Sequence, residues 1–156
     1  MKKLTCYNIQ DMIRNDNSIN FIIEDIDNII KSNQLDINLY NNLANQLINM
    51  KKNIIAIYKN DELFAFLIIS EKVISDIYIK KTNFYKKYLD ILMNEAYEFL
   101  DNPKPVVILS RDDTIKYINY IFSNNCNVSA LTKDGKLIFN DQCKMDKQII
   151  RELRKF

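Results

Sequence analysis

The spacing of apolar residues changes twice along this sequence, and that change limits the folds it can adopt. Between positions 19 and 30, six isoleucines recur at the three- and four-residue spacing of one helix face. Asp16, Asn17 or Ser18 is expected to cap this helix. The pattern then becomes strand-like from 53 to 80, and the helical spacing returns from 82 to 100. Such a change of period predicts a sheet covered by helices.

The first half of the chain predicts a strand, two helices and three further strands. The first strand covers 3–9. The second helix begins at Asp36, with its inner side formed by Tyr40, Leu43, Ala44, Leu47 and Met50. Strands at 53–59, 62–70 and 73–80 are separated by short polar turns and form an antiparallel meander.

The second half predicts a long helix, a strand, a helix and a hairpin. Residues 102–105 contain both prolines and end the long helix. A strand at 106–110 follows. Asp112 or Asp113 caps the next helix, which ends at 124–125. Strands at 127–132 and 136–140 flank Gly135, and the tail from 145 is amphipathic.

The expected fold is one α+β domain, residues 1–156. A helix joins the strands at 73–80 and 106–110, so a right-handed crossover makes them parallel, whereas the other strands are antiparallel. The result is a mixed, mostly antiparallel sheet of six or seven strands flanked by about four helices. The length of 156 residues and the 47% hydrophobic content fit a single core.

Composition excludes several classes of function. The chain has no histidine, which excludes Ser-His-Asp catalysis and histidine-ligated metal sites, and no metal is expected. The three cysteines form no CxxC motif and indicate reduced thiols in a cytoplasm. No apolar run is long enough for a membrane span, and the first residues lack a signal-peptide apolar region. The net charge of +2 makes a nucleic-acid partner unexpected.

The element order resembles that of the GNAT family, the GCN5-related N-acetyltransferases, over nearly the whole chain. Residues 54–67 look like the family's second and third strands, with Ala65-Phe66 where the family often has Gly-Phe. Ile77-Tyr78-Ile79 looks like the end of its fourth strand, and 106–110 like the splayed partner. The resemblance implies transfer of an acetyl group from acetyl-CoA to an amine. The acceptor would be a small molecule or a protein, and a homodimer is compatible with it.

The family's pyrophosphate signature is absent from the expected position. That signature is Arg or Gln, two residues, Gly, one residue, then Gly or Ala, and here Phe84, Lys87 and Leu89 occupy its key positions. Two lysine pairs and a helix N-terminus can replace part of it. The residues expected to bind the cofactor are therefore Tyr78, Ile79, Lys80, Lys81, Asn83, Lys86 and Lys87. The alternative is an ordinary solvated helix start.

The resemblance also implies a tyrosine that protonates the departing thiolate of CoA. Tyr120 lies seven residues after Asp113, which matches the family's spacing, and Tyr117 is the second choice. Glu62, Glu71 and Asp76 lie in the region that commonly supplies the general base, and Glu71 and Asp76 are preferred. The alternatives are a solvated tyrosine, an exposed-face aspartate and, for Cys126, a small buried side chain.

Three hypotheses about function follow. The first is a GNAT-type acyltransferase that works by direct attack in a ternary complex. The second is a GNAT-like module that has lost catalysis and acts by binding or regulation, which the missing glycines favour. The third is a small nucleic-acid binder using the lysine pairs and the tyrosines, which the balanced charge disfavours.

Overall fold

The computed structural model describes residues 3–101, 106–108, 116–117, 120–121, 129–131 and 137–139. Its helices are α1 (Ile9–Arg14), α2 (Asn20–Ser32), α3 (Leu43–Ile48) and α4 (Tyr85–Leu100). Its strands are β1 (Leu4–Asn8), β2 (Lys52–Lys59), β3 (Glu62–Ser70), β4 (Val73–Ile79), β5 (Val106–Ile108), β6 (Ser129–Leu131) and β7 (Leu137–Phe139). Among the described helices, none has the length and apolar content to cross a bilayer.

The strands follow one another across the sheet in chain order. Strands β1 to β4 pair antiparallel, β4 pairs parallel with β5, and β6 pairs antiparallel with β7. The α+β class, the mixed sheet, the meander and the parallel β4–β5 pair are therefore confirmed. The expectation that all other pairs are antiparallel is wrong, because β5 and β6 are parallel. Along the chain, the helical residues 116–117 and 120–121 come after β5 and before β6. A helical crossover of this kind joins parallel neighbouring strands.

The sheet buries apolar side chains on both faces. One face packs against α4, whose buried residues are Tyr88, Leu89, Leu92, Met93 and Ala96. The other face packs against α1, α2 and α3, with Ile22 and Ile26 of α2 completely buried. The central strands β2 and β3 consequently read as nearly continuous apolar runs, as strands covered on both sides do.

The helices before β2 differ from the sequence-based expectation. Helix α1 was not expected, and it starts at the cap Asn8, whose side chain accepts a hydrogen bond from the Asp11 N–H. The first residue before α2 is Ile19, which makes no side-chain cap, so the predicted caps Asp16, Asn17 and Ser18 are wrong. Helix α3 is shorter than predicted. Of its predicted inner residues Tyr40, Ala44 and Met50 are exposed, whereas Leu47 is buried.

A buried polar network joins α1 to β2 and α3. Asn53 is completely buried, and its Oδ1 accepts hydrogen bonds from the backbone N–H groups of Gln10 and Ile54 at 3.1 and 2.8 Å. Its Nδ2 donates to Asn8 Oδ1 at 3.0 Å. The Gln10 side-chain amide donates in turn to the carbonyls of Leu47 and Lys52, both at 2.8 Å. The network fixes the point where the chain leaves β1 for α1.

Candidate functional site

Strands β4 and β5 pair near their first residues. Their pairing joins Val73 to Val106 and Ile74 to Val107, although β4 continues to Ile79. The register between β3 and β4 also shifts here, since Ile69 faces Ile74 and Ile68 faces Asp76. Ser75 is therefore the extra residue of a β-bulge. A bulge bends its strand and strengthens the local twist, so β4 changes direction at Ser75.

The bulge also changes which side chains share a face. Plain alternation places Asp76 and Tyr78 with Ile74, and that expectation is wrong for Ile74. Ile74 lies with Ile77 and Ile79 in the core beneath α4, whereas Tyr78 packs with the opposite core. Asp76 faces Ile68 across the ladder and so shares the face of Tyr78. The extra residue Ser75 accounts for the change, because it shifts the alternation of side chains by one position after Ile74.

A cleft of about 290 Å³ opens where β4 extends past its pairing with β5. Side chains from both faces of the sheet line it. Tyr78 belongs to the core beneath α2, whereas Tyr85 and Tyr117 belong to the core beneath α4. Asn33, at the end of α2, also reaches the cleft. Residues from both faces line this cavity because it lies at the end of β4, beyond the pairing of β4 with β5.

Three lysines give the cleft a positive charge. Its lining includes Lys80, Lys81 and Lys116, and the lining that the structure describes contains no carboxylate. Lys80 Nζ lies 2.7 Å from Oε1 of the exposed Glu62, and this hydrogen bond raises the pKa of Lys80 and lowers the pKa of Glu62. Lys116 Nζ lies 4.3 Å from the centre of the Tyr85 ring, a cation–π contact. The cleft therefore favours an anionic ligand.

The first turn of α4 borders this cleft. The Phe84 N–H donates to Thr82 Oγ1 at 3.1 Å, and the Lys87 N–H donates to the Phe84 carbonyl at 3.1 Å. Asn83 is exposed just before the helix. Leu89 is fully buried, because it lies on the core side of the second turn. Lys86 and Lys87 leave the helix in different directions: Lys86 Nζ lies 5.2 Å from the Tyr120 ring centre, and Lys87 lines a second pocket.

The two candidate tyrosines have different surroundings. Tyr117 is 5% exposed, lines the cleft, and has its ring centre 5.7 Å from that of Tyr85. The Tyr120 hydroxyl donates to Asp90 Oδ2 at 3.2 Å. Desolvation and the nearby Asp90 carboxylate raise the pKa of Tyr120. The structure thus brings Tyr117 into the cleft and holds Tyr120 beside it, against α4.

Neither of the two candidate bases lines the cleft. Asp76 follows the bulge, and its carboxylate opposes the lowering of the Lys52 pKa that burial causes. Glu71 lies in the turn before β4, on the rim of a separate cavity of about 560 Å³. Because a strand advances about 3.3 Å per residue, Glu71 lies roughly 20 Å from the cleft end of β4. The structure does not bring Glu71 to the predicted cofactor residues.

A smaller pocket of about 250 Å³ lies beside the first turn of α4. We call it the Phe84 pocket, and its lining residues are Leu4, Lys59, Phe84, Lys87 and Tyr88. Sequence reasoning missed Lys59 and the exposed position of Phe84, which keeps 71% of its surface accessible. The sequence signal for this pocket was Phe84, a large apolar residue just before the lysine pair in the first turn of α4. Burial of Phe84 in the core would explain that residue equally well.

Known proteins and metal chemistry add no further assignment. The residues described here contain no group of three or more cysteines and carboxylates placed to hold a metal ion. No family model matches the chain, and neither a curated protein nor a solved structure matches it.

Proposed function

We propose that this chain is a GNAT-like domain that binds acetyl-CoA in the cleft and transfers its acetyl group to an amine. The observation that carries the proposal is a lysine-lined cleft at the end of β4, beyond its pairing with the parallel β5 and next to the N-terminus of α4. The lysines favour the phosphates, and the unpaired side of the end of β4 suits a narrow pantetheine arm. On this proposal β6 and β7 complete a sheet of six or seven strands.

The backbone of β4 supports a role in polarising the thioester. The Lys80 N–H donates to the Phe64 carbonyl at 2.9 Å, so Lys80 and Phe64 form a hydrogen-bonded pair across β3 and β4. The neighbouring pair of Ala65 and Ile79 is then a non-hydrogen-bonded pair, and the Ile79 N–H points away from β3. It points to the side of β4 on which β5 pairs farther back along the strand. An N–H group in this position can stabilise the oxyanion of an attacked carbonyl.

Acetyl transfer then requires one bond to form and one to break. The neutral amine attacks the thioester carbon, forming the C–N bond, and the C–S bond breaks with its electron pair on the sulfur of CoA. Tyr117, one of three tyrosines in the described lining of the cleft, donates a proton to that thiolate and regains one from water. The proton lost by the amine leaves through water. Positioning of the two reactants supplies most of the rate in such a reaction.

A second candidate function is binding of an acyl-CoA without turnover. The observation that favours it is the composition of the cleft, whose described lining provides lysines and tyrosines and no carboxylate. Asp76 lies on β4 outside that lining, and Glu71 lies at the far end of the strand. A domain of this kind would use CoA occupancy as a signal.

Thermal unfolding with and without acetyl-CoA tests the binding step. A ligand at about 100 times its dissociation constant stabilises a protein by about 2.7 kcal/mol. For a domain of this size the midpoint should rise by several degrees. The Lys116→Ala variant should bind about tenfold more weakly, because it loses one charge in the cleft. Lys51→Ala is the matched control, since Lys51 is exposed at the opposite end of the sheet.

Turnover separates the two candidate functions. Acetyl-CoA incubated with a panel of amines should yield free CoA and acetylated products by mass spectrometry, and Tyr117→Phe should slow this release without weakening binding. Binding without release of CoA would support the non-catalytic module. A midpoint that acetyl-CoA leaves unchanged at millimolar concentration would rule out both.

A further inference from the structure

The Phe84 pocket lies across the first turn of α4 from the cleft. Tyr85 faces the cleft, whereas Phe84, Lys87 and Tyr88 face the pocket. Strand β2 contributes Lys59 from its last residue, and β1 contributes Leu4. A ligand that crosses the start of α4 can therefore reach both places at once.

Positive charge is concentrated at this corner of the molecule. Lys59 and Lys87 line the pocket, and its described lining contains no carboxylate. Lys59 Nζ and Lys80 Nζ lie 5.1 and 5.9 Å from the centre of one ring, that of Phe64. Glu62 pairs with Lys80. Because Lys59 and Lys87 both line the pocket, an anion bound there is attracted by both ammonium groups.

Phe84 adds an aromatic surface to that charge. It occupies the cap position of α4, makes no side-chain cap and is 71% exposed. Its neighbour on the inner side is Tyr88, which is 4% exposed and holds the Phe64 ring at 4.7 Å between ring centres. An open aromatic face beside lysines is the arrangement that stacks a base and holds its phosphate.

We propose that the Phe84 pocket binds the 3′-phosphorylated adenosine of CoA. The adenine stacks on Phe84, and the 3′-phosphate lies between Lys59 and Lys87. The pyrophosphate then passes over the first turn of α4, and the acyl arm enters the cleft. This inference rests on the proposed function and extends it, because it makes the protein selective for CoA over the same molecule without its 3′-phosphate.

Calorimetric titration with acetyl-CoA, CoA, dephospho-CoA and adenosine 3′,5′-bisphosphate tests the inference. The wild-type protein should bind CoA at least tenfold more tightly than dephospho-CoA. Lys59→Ala and Lys87→Ala should each bring the affinity for CoA close to the affinity for dephospho-CoA. Phe84→Ala should weaken CoA, dephospho-CoA and the bisphosphate alike. Lys51→Ala should behave as the wild type.

The outcomes separate this inference from the proposed function. Equal affinity for CoA and dephospho-CoA, together with weaker binding by Lys116→Ala, would overturn the pocket and leave the cleft standing. A bisphosphate affinity that depends on Phe84 and Lys87, with no added affinity from the acyl arm and no effect of Lys116→Ala, would support the pocket and overturn acetyl transfer. No binding of any of these compounds would overturn both.

Discussion

Replacing Asn53 with alanine should strongly destabilise the fold. Asn53 lies in β2, beside the point where β1 ends and α1 begins. Its carboxamide makes hydrogen bonds there that a neighbouring strand would otherwise make. Oδ1 accepts from the N–H groups of Gln10 and Ile54, and Nδ2 donates to Asn8. Alanine removes all three hydrogen bonds and leaves two buried donors without this acceptor.

The expected cost follows from those two donors. A buried donor that loses its partner costs about 1–3 kcal/mol. Two of them give a loss of about 3 kcal/mol in the free energy of unfolding, allowing for partial relaxation around the smaller side chain. A domain of this size loses about 2–4 °C of midpoint per kcal/mol, so the Tm should fall by roughly 10 °C.

Urea unfolding followed by circular dichroism measures this change. The matched control is Asn28→Ala, since Asn28 is exposed within α2 and alanine is the better helix former there. The control should be neutral or slightly more stable. A double-mutant cycle with Asn8→Ala should give a coupling above about 0.5 kcal/mol. If the free energies of unfolding of Asn53→Ala and the control differ by less than about 0.5 kcal/mol, which is typical of surface substitutions, Asn53 does not stabilise the fold in this way.

Three further changes test other parts of the structure. Lys72 has φ of 73°, so Lys72→Gly should raise the free energy of unfolding by about 1 kcal/mol and Lys72→Ala should not, as urea titration would show. Desolvation, with a contribution from Glu95, raises the pKa of Cys6 to about 11. Its alkylation at pH 8, followed by peptide mass spectrometry, should therefore be roughly 100-fold slower than for an ordinary thiol, and Glu95→Gln should speed it. Ala96 of α4 is fully buried against the sheet, so Ala96→Glu should cost several kcal/mol, and a stable variant would contradict the packing of that helix.

The meander and α4 were predictable because each has a long and consistent pattern. Strands β2, β3 and β4 carry seven to nine residues each, and polar pairs such as Asn60-Asp61 separate them. Helix α4 has 16 residues with a regular apolar stripe. Patterns of this length outweigh local exceptions, and so the predicted bounds agree with the structure within one to three residues.

The short helices were not predictable in the same way. Helices α1 and α3 have six residues each, which is too short for a helical period to be recognised. Their stability comes from contacts distant in sequence. The Gln10 amide, for example, bonds to carbonyls of Leu47 and Lys52, and nothing in the local sequence around Gln10 indicates those partners. Tertiary hydrogen bonds therefore decide where these helices form.

The candidate site was predictable in its position and not in its details. The crossover pattern located the end of β4 and the start of α4, so Tyr78, Lys80 and Lys81 were expected there and do line the cleft. The bulge at Ser75 has no sequence signal, since Val73 to Ile79 alternates acceptably without it. That one residue decides that Ile74 shares a face with Ile77 and Ile79. Lys59 is distant in sequence from α4, and the pairing of β2 with its neighbours brings it to the Phe84 pocket.

The absence of glycine from the start of α4 has a structural explanation. The chain has one glycine, yet nine of the described non-glycine residues adopt positive φ, including Asn60, Asp61, Glu71 and Lys72 in the two hairpin turns. This chain therefore repeatedly uses residues other than glycine in left-handed turns. None of the described residues from 80 to 87 has positive φ. The start of α4 thus needs no glycine for its backbone, and what the loop lacks is only the close approach that glycine allows. On the proposed function, lysines on both sides of the turn offset that lack because their side chains would reach the phosphates of acetyl-CoA. This predicts that the affinity for acetyl-CoA falls steeply with added salt.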